Sequence, residues 1–202
     1  MDNLTSSTEP ENNPETPSGK NTSSLGFWRD LFETILMAVL LFLVLNTVTS
    51  RVRVYNISME PTLKQGYLLV VNKLAYRFGD PKHGDVIVFH FQGDTSEDYI
   101  KRVIGLPGDQ VEVSQGVVKV NGVPLTEPYL NELPSYANIW TVPEGKLFVL
   151  GDNRNYSSDS HEWGFVDESW VVGKAVVIYW PLDQIRLLTG PDLVKAASVS
   201  SQ

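Results

Sequence analysis

Between Thr34 and Ser50 the chain carries no charged residue, and Ile35 to Leu45 is an unbroken apolar run. A stretch of this kind ends up in a protein core, in a secretory signal or across a bilayer. At about 1.5 Å per residue its 17 residues cover a hydrocarbon layer of roughly 30 Å only if flanking side chains snorkel. Arg29, Glu33 and Arg51 bound the stretch, and Phe27-Trp28 stands where an interfacial aromatic anchor would. We therefore expect one transmembrane helix over residues 25–50. Lys20 and Arg29 on one side face Arg51 and Arg53 on the other, so the positive-inside rule alone does not orient it.

Residues 1–24 hold Met1 and Leu4 as their only apolar side chains, with three prolines and many Ser, Thr and Asn. Such a segment buries too little surface to offset chain entropy and reads as a disordered, acidic, polar tail. It also lacks the basic start and immediate apolar core of a secretory signal. The small polar residues 191–202 read as a frayed C-terminal tail. Over all 202 residues the net charge is −8, which argues against a nucleic-acid partner. There is no cysteine, so disulfides, thiol nucleophiles and Cys-bound zinc are excluded, and covalent catalysis would have to use oxygen or nitrogen.

Beyond Arg51 the pattern is that of short strands: Val52–Asn56, Tyr67–Asn72, Asp85–Phe91, Tyr99–Gly105, Gln110–Ser114, Val117–Val120, Lys146–Leu150 and Val171–Tyr179. They are rich in β-branched and aromatic residues and separated by Gly, Pro, Asn or Asp. Gln115-Gly116 and Asn121-Gly122 occupy two-residue hairpin positions. The spacing predicts a mostly β domain over 51–190. Residues 124–144, with Pro128, Pro134 and Pro143, show no period and read as an irregular insert.

Three stretches in this domain carry possible chemistry. In Ser58-Met59-Glu60-Pro61-Thr62-Leu63, Pro61 disfavours helix at Glu60 and presents Ser58 at a bend. Both a nucleophile and a plain helix N-cap fit that placement. In Asp98 to Asp109, strand alternation puts Lys101 on one largely apolar face and Arg102 on the other. A guanidinium keeps its proton in a protein, whereas a desolvated ammonium can lose it, so Lys101 is the one that could act as a base. A lysine snorkelling from an edge strand is the plain alternative. In Gly151 to Val166 a dense polar run makes a loop that can bond its own backbone, or can set Asp152 against Arg102 and Ser157 against the Lys101 amine.

Ser58 to Leu63, Gly84-Asp85-Val86-Ile87-Val88-Phe89, Tyr99 to Asp109 and Gly151 to Ser160 follow one apolar span in the order and setting of the conserved boxes of type I signal peptidases. Over roughly residues 27–182 the chain resembles that family, and the single span with Ser-His-Glu-Trp-Gly-Phe-Val looks more like its cyanobacterial or plastid members. The resemblance implies a signal-peptidase-type β-sheet catalytic domain after one N-terminal transmembrane helix. It further implies a membrane-bound serine endopeptidase that removes signal peptides from exported preproteins by a Ser/Lys dyad, with no cofactor or metal. By the same resemblance Ser58 is the nucleophile and Lys101 the general base. Ser157 orients Lys101, the Ser58 N–H serves the oxyanion hole, and Asp152, Arg102 and Asp159 brace the site. Val54, Met59, Leu63, Tyr99 and Ile100 occupy positions near the substrate pockets, though each would suit a core equally well.

Two positions depart from many relatives. Asn56 stands where a hydroxyl would complete the oxyanion hole, and its amide can donate in that role. His161 stands where an arginine would pair with Asp159, with Arg154 as another possible partner for that carboxylate. Expected partners are signal peptides with small residues one and three places before the cut, and the lipid bilayer, on which Tyr136, Ile139 and Trp140 of the insert could rest. The family implies a single-pass protein with a cytoplasmic N-terminus and its catalytic domain on the exported side of the cell membrane, or of the thylakoid membrane in a cyanobacterium. Nothing in the sequence sets an oligomeric state. Three other readings remain. A Ser/His/Asp site using His83, His90 or His161 would leave the Lys101 stretch unexplained. A repressor-type Ser/Lys autopeptidase would need a DNA-binding module at the N-terminus. A silent membrane-anchored module binding exported proteins would not need Ser58 and Lys101.

Overall fold

The computed structural model describes residues 24–188 and 190. The expectations for residues 1–23 and 191–202 lie outside them. The chain divides into two compact units after Phe42.

Helix α1, Ser24–Val48, has 25 residues and a length of about 37 Å. Its stretch Gly26–Val48 is long and apolar enough to cross a membrane, and none of it is buried. The helix continues N-terminally through Leu31 and Phe32 past the charge-free stretch, which removes the shortfall in length. Two of its hydroxyls are satisfied internally: Thr34 and Thr47 donate to the carbonyls of Asp30 and Leu43, each at 2.8 Å.

The larger unit is built of two antiparallel sheets. One contains β1 (Thr49–Arg53), β2 (Leu68–Asn72), β3 (Val86–His90), β4 (Asp98–Gly105), β9 (Lys146–Leu150), β10 (Val166–Asp167) and β11 (Val171–Trp180), in the order β1-β2-β11-β3-β4-β9-β10, with β12 (Arg186–Leu187) on β11. The other, β7-β6-β5-β8, contains β5 (Gln110–Ser114), β6 (Val117–Val120), β7 (Val123–Pro124) and β8 (Asn138–Thr141). A short helix, α2, spans Ser160–Trp163. The two hairpin turns form where the sequence places them. Gln115 and Gly116 have φ of 51° and 77°, and Asn121 and Gly122 have 52° and 79°, the positive pair that matches the twist of a tight hairpin.

Burial follows the strand patterns. In β5 and β6 only the alternate residues Val111, Val113, Val118 and Val120 are buried, and they pack with Ile104, Val142, Phe148 and Leu150. In β3, which lies between β11 and β4, Val86 to Phe89 are buried on both faces, so that strand reads as a continuous apolar run. A further cluster joins Val54, Met59 and Leu63 to Leu69, Ala175 and Ile178.

Four sequence expectations are revised here. The first strand is Thr49–Arg53 rather than Val52–Asn56, because the ladder to β2 breaks after Val54 N–H: Val54 O accepts from Gly66 N–H at 2.9 Å, and Tyr67 N–H turns back to Lys64 O at 3.1 Å. The insert is not wholly irregular, since Asn138–Thr141 forms β8 on β5 and Trp140 packs on Phe148 at 4.9 Å. No helix follows Ser58; residues 57–63 form turns, with Leu63 N–H donating to Met59 O at 2.8 Å, so the N-cap alternative is not realised. Val54, Met59 and Leu63, expected near substrate pockets, lie in the core at 2%, 1% and 0% exposure.

Candidate active site

Ser58 sits on the turn after β1, its neighbours Met59 and Leu63 anchored in the core. Lys101 comes from the middle of β4, where its backbone pairs with Ile87 of β3. The two side chains meet: Lys101 Nζ donates to Ser58 Oγ at 2.7 Å. Both are buried, Ser58 at 6% and Lys101 at 2% exposure. The Ser58 hydroxyl in turn donates to Asn56 Oδ1 at 2.9 Å, and the Ser58 N–H reaches the same oxygen at 3.3 Å.

Burial pulls the Lys101 ammonium down to about 8, even though the charges of Asp159, Asp152 and Glu162 act to raise it. At pH 7 a lysine of that acidity is neutral in about a tenth of molecules, against a few in ten thousand for an exposed one. Its hydrogen-bonding partner is a hydroxyl, so the free amine can accept the Ser58 proton without first breaking an ion pair.

Arg102, one residue on and facing the other way, is held as a cation. Burial works against its charge, but Asp152 overcomes it and raises the guanidinium. Nε and Nη2 donate to the two oxygens of Asp152 at 2.7 and 2.6 Å, Nη1 donates to Gly84 O at 2.9 Å, and the guanidinium stacks 4.0 Å from the Tyr129 ring centre.

The polar loop after β9 is tied directly to the turn that carries Ser58. Asn153 N–H donates to Ser58 O at 3.0 Å, and its side-chain amide to Ile57 O at 3.2 Å. Asp159 Oδ2 accepts from Gly151 N–H at 2.8 Å, while its other oxygen caps α2 and meets His161 Nδ1 at 2.7 Å. That bond to Asp159 raises the His161 pKa, and the ring stacks on Tyr136 at 4.1 Å.

Two expectations about this loop need correcting, those for Ser157 and Arg154. Ser157 is buried, but its Oγ has no hydrogen-bond partner, so it does not bond Lys101 in this structure. It lies so close to the backbone that a Cβ on Gly151 would collide with both Ser157 Oγ and Ser58 O. Asn56 turns its oxygen, not its amide N–H, toward Ser58. Arg154 pairs with Glu127 of the insert, not with Asp159. Sequence reasoning missed Glu127 and Tyr129 altogether. Their only signal was a carboxylate and an aromatic flanking Pro128, while two arginines elsewhere needed buried partners.

None of the three histidines hydrogen-bonds Ser58; His83 pairs with Asp109 at 2.7 Å and His90 with Asp98 at 2.9 Å. Of the remaining candidates, Tyr99 is half-buried and stacks on Phe91 at 4.5 Å, and Ile100 packs against the Met59 cluster. Tyr99 also lines a groove of about 460 Å³ that runs between Arg51–Tyr55 and Thr95–Tyr99. Its walls include strand edges with unpaired backbone. β1 pairs only with β2, and β9 pairs with β4 only from Arg102 onward, leaving residues 98–101 free on that side.

The profile of the family described as signal peptidase, peptidase S26, matches residues 28–180. A probable signal peptidase I-2 of Synechocystis sp. is 40% identical in an alignment of 195 positions that covers 93% of this chain and 89% of that protein. A signal peptidase I of Leptolyngbya laminosa is 38% identical, covering 95% of this chain and 98% of its own. A signal peptidase IB of Staphylococcus aureus is 36% identical over 78% of this chain and 91% of its own. With an N-terminal apolar helix, a mostly β unit and a match of this extent, the chain belongs to the signal peptidase family, peptidase S26.

Proposed function

We propose that Ser58 is the nucleophile and Lys101 the general base with which this membrane-anchored serine endopeptidase removes signal peptides from exported preproteins. The observation that carries the assignment is the 2.7 Å contact between a buried serine hydroxyl and a buried amine that no carboxylate among the described residues touches. Neutral Lys101 takes the Ser58 proton as Oγ attacks the scissile carbonyl. The resulting ammonium gives that proton to the departing amine, the mature chain leaves, and the signal peptide remains as an ester on Ser58. Lys101, neutral again, accepts a proton from water, whose oxygen attacks the ester; as the bond to Oγ breaks, the ammonium returns that proton to Ser58 and the signal peptide leaves as its carboxylate.

Charge developing on the carbonyl oxygen needs donors. The Ser58 N–H is one, and it must leave Asn56 Oδ1 as substrate arrives. Rotation of the Asn56 amide then turns its own N–H₂ toward the same oxygen, the donating role a hydroxyl has in other members. The substrate lies extended in the groove that Tyr99 lines, with Ile100 the next residue along β4, adding its main chain to the free edges of β1 and β4. Asp152, Arg102 and Asp159 hold the surrounding loop, and Ser157 packs against the dyad.

The bilayer is the second partner, crossed by α1 within a span at 25–50 between the tail and the catalytic domain at 51–190. We assign the N-terminus to the cytoplasm and the β unit to the exported side. Similarity to cyanobacterial proteins makes the cell and thylakoid membranes the two candidate locations.

The test is cleavage of a preprotein whose signal ends in Ala-x-Ala, in detergent, by wild type, Ser58→Ala and Lys101→Met, with folding verified for all three. Wild type cuts after the last Ala, Ser58→Ala loses about 10⁵-fold or more, and Lys101→Met loses about 10³-fold or more. Retained cleavage in folded Lys101→Met overturns the dyad. A folded wild type inert on several precursors overturns the peptidase activity itself.

A further inference from the structure

Arg154 is the largest fully buried side chain among the described residues, and the dyad mechanism gives it no part. Its guanidinium spans two segments that are distant in sequence. Nη1 donates to Glu127 Oε2 at 3.0 Å and Nη2 to Glu127 Oε1, while Nε donates inward to Gly151 O at 3.1 Å. Glu127 is itself held, since the Tyr129 hydroxyl donates to its Oε1 at 2.7 Å. The Arg154 side chain is 0% exposed and that of Glu127 8%, so neither charge has water to fall back on.

Gly151 is where this pair touches the chemistry. Its carbonyl takes Arg154 Nε, its N–H takes Asp159 Oδ2, and its Cα lies against both Ser58 O and Ser157 Oγ with no room for a methyl group. Any shift of Gly151 therefore moves the wall behind Ser58. The loop is already fixed from the Ser58 side by two hydrogen bonds of Asn153. Arg154 fixes it from the insert side, and it can do so only while Glu127 holds its outer face.

Resting on the Ser58/Lys101 reading above, we propose that Glu127 is a positioning residue for the peptidase reaction: acting through Arg154 and the Gly151 carbonyl, it sets the loop against Ser58 and so the alignment of the dyad. The insert then serves the catalytic step and not only the packing of the second sheet. A displacement of about 1 Å at reacting groups costs on the order of 10²-fold in rate. The effect falls on kcat, since neither Glu127 nor Arg154 lines the groove beside Tyr99. Loosening the loop also admits water to Lys101, which is faced by Asp152 and Asp159 and Glu162 of the loop, by the Tyr99 ring on its own strand and by Ser58. The rise of activity with pH then moves to higher pH.

The experiment measures kcat, KM and the pH profile on an Ala-x-Ala preprotein, together with thermal unfolding, for the full chain in detergent. The variants are Glu127→Gln and the double variant Glu127→Met/Arg154→Met, with Ser58→Ala as the blank. Glu127→Gln leaves a buried guanidinium without its counter-charge; the double variant removes both charges and can repack as an apolar pair. We expect Glu127→Gln to lose about 10²-fold in kcat with KM within about twofold, and its pH profile to move upward. We expect the double variant to unfold near the wild-type temperature yet keep the kcat defect, because no Nε remains on Gly151 O. A double variant with both wild-type stability and wild-type kcat overturns the proposal and reduces the pair to a structural one. Should Glu127→Gln not fold, the double variant decides alone. A wild type that is folded and inert overturns the peptidase reading beneath it, whereas an active wild type beside a fully active double variant overturns only the role of Glu127.

Discussion

Lys101 and Arg102 are consecutive on one strand, point to opposite faces and are buried to 2% and 3% exposure, yet they meet opposite fates. Arg102 finds both oxygens of Asp152, a backbone carbonyl and an aromatic face, and its charge is locked in. Lys101 finds a hydroxyl and apolar neighbours, with its carboxylates at a distance, and its charge is destabilised. Burial is common to both, so partner chemistry holds the charge on one and destabilises it on the other. The choice of residue matches the face: a guanidinium could not yield its proton on the Ser58 side.

The contrast can be broken hardest from the Arg102 side. Asp152→Asn keeps the shape of the side chain but leaves Arg102 buried without a counter-ion, which costs about 3–5 kcal/mol. Denaturant or thermal unfolding of the β unit reads this directly. A loss under about 1 kcal/mol would mean that water or another carboxylate compensates Arg102, and the distinction between the two faces would fail.

From the Lys101 side the expected change is smaller and opposite in sign. The folded lysine titrates at about 8 and the unfolded one at 10.5, so between those values the unfolded chain binds more protons and stability rises with pH. Below about pH 8 the full cost of burying the ammonium is present. Lys101→Met is therefore more stable than wild type at pH 7 by up to about 3 kcal/mol, and the advantage disappears above about pH 10.5. Equal or lower stability of the variant at neutral pH would show that the ammonium is well accommodated.

The regular part of the fold was legible in the sequence. Gln110–Ser114, Val117–Val120 and Lys146–Leu150 form as read, because alternation and the Asn-Gly turn are local signals. β8 was not, since its four residues stand between Pro134 and Pro143 and gain their strand from pairing with β5. Within the site, motif order brought out Ser58, Lys101, Asp152 and Arg102. Partnerships set by the tertiary fold did not follow: Arg154 reaches 27 residues back to Glu127, and Ser157 Oγ stays unbonded beside Gly151. Asn56 shows the same limit at short range, because the residue type allows donor or acceptor and only the turn geometry selects the oxygen.

We propose that desolvation makes Lys101 a base near neutral pH. The most direct test is the pH dependence of kcat/KM for an Ala-x-Ala preprotein from about pH 6 to about pH 10, which reports ionisation in the free enzyme. The account predicts a tenfold rise per pH unit on the acid side that levels off near the Lys101 value of about 8. A rise that continues unbroken toward 10.5, or a profile flat through pH 7 to 9, would contradict it.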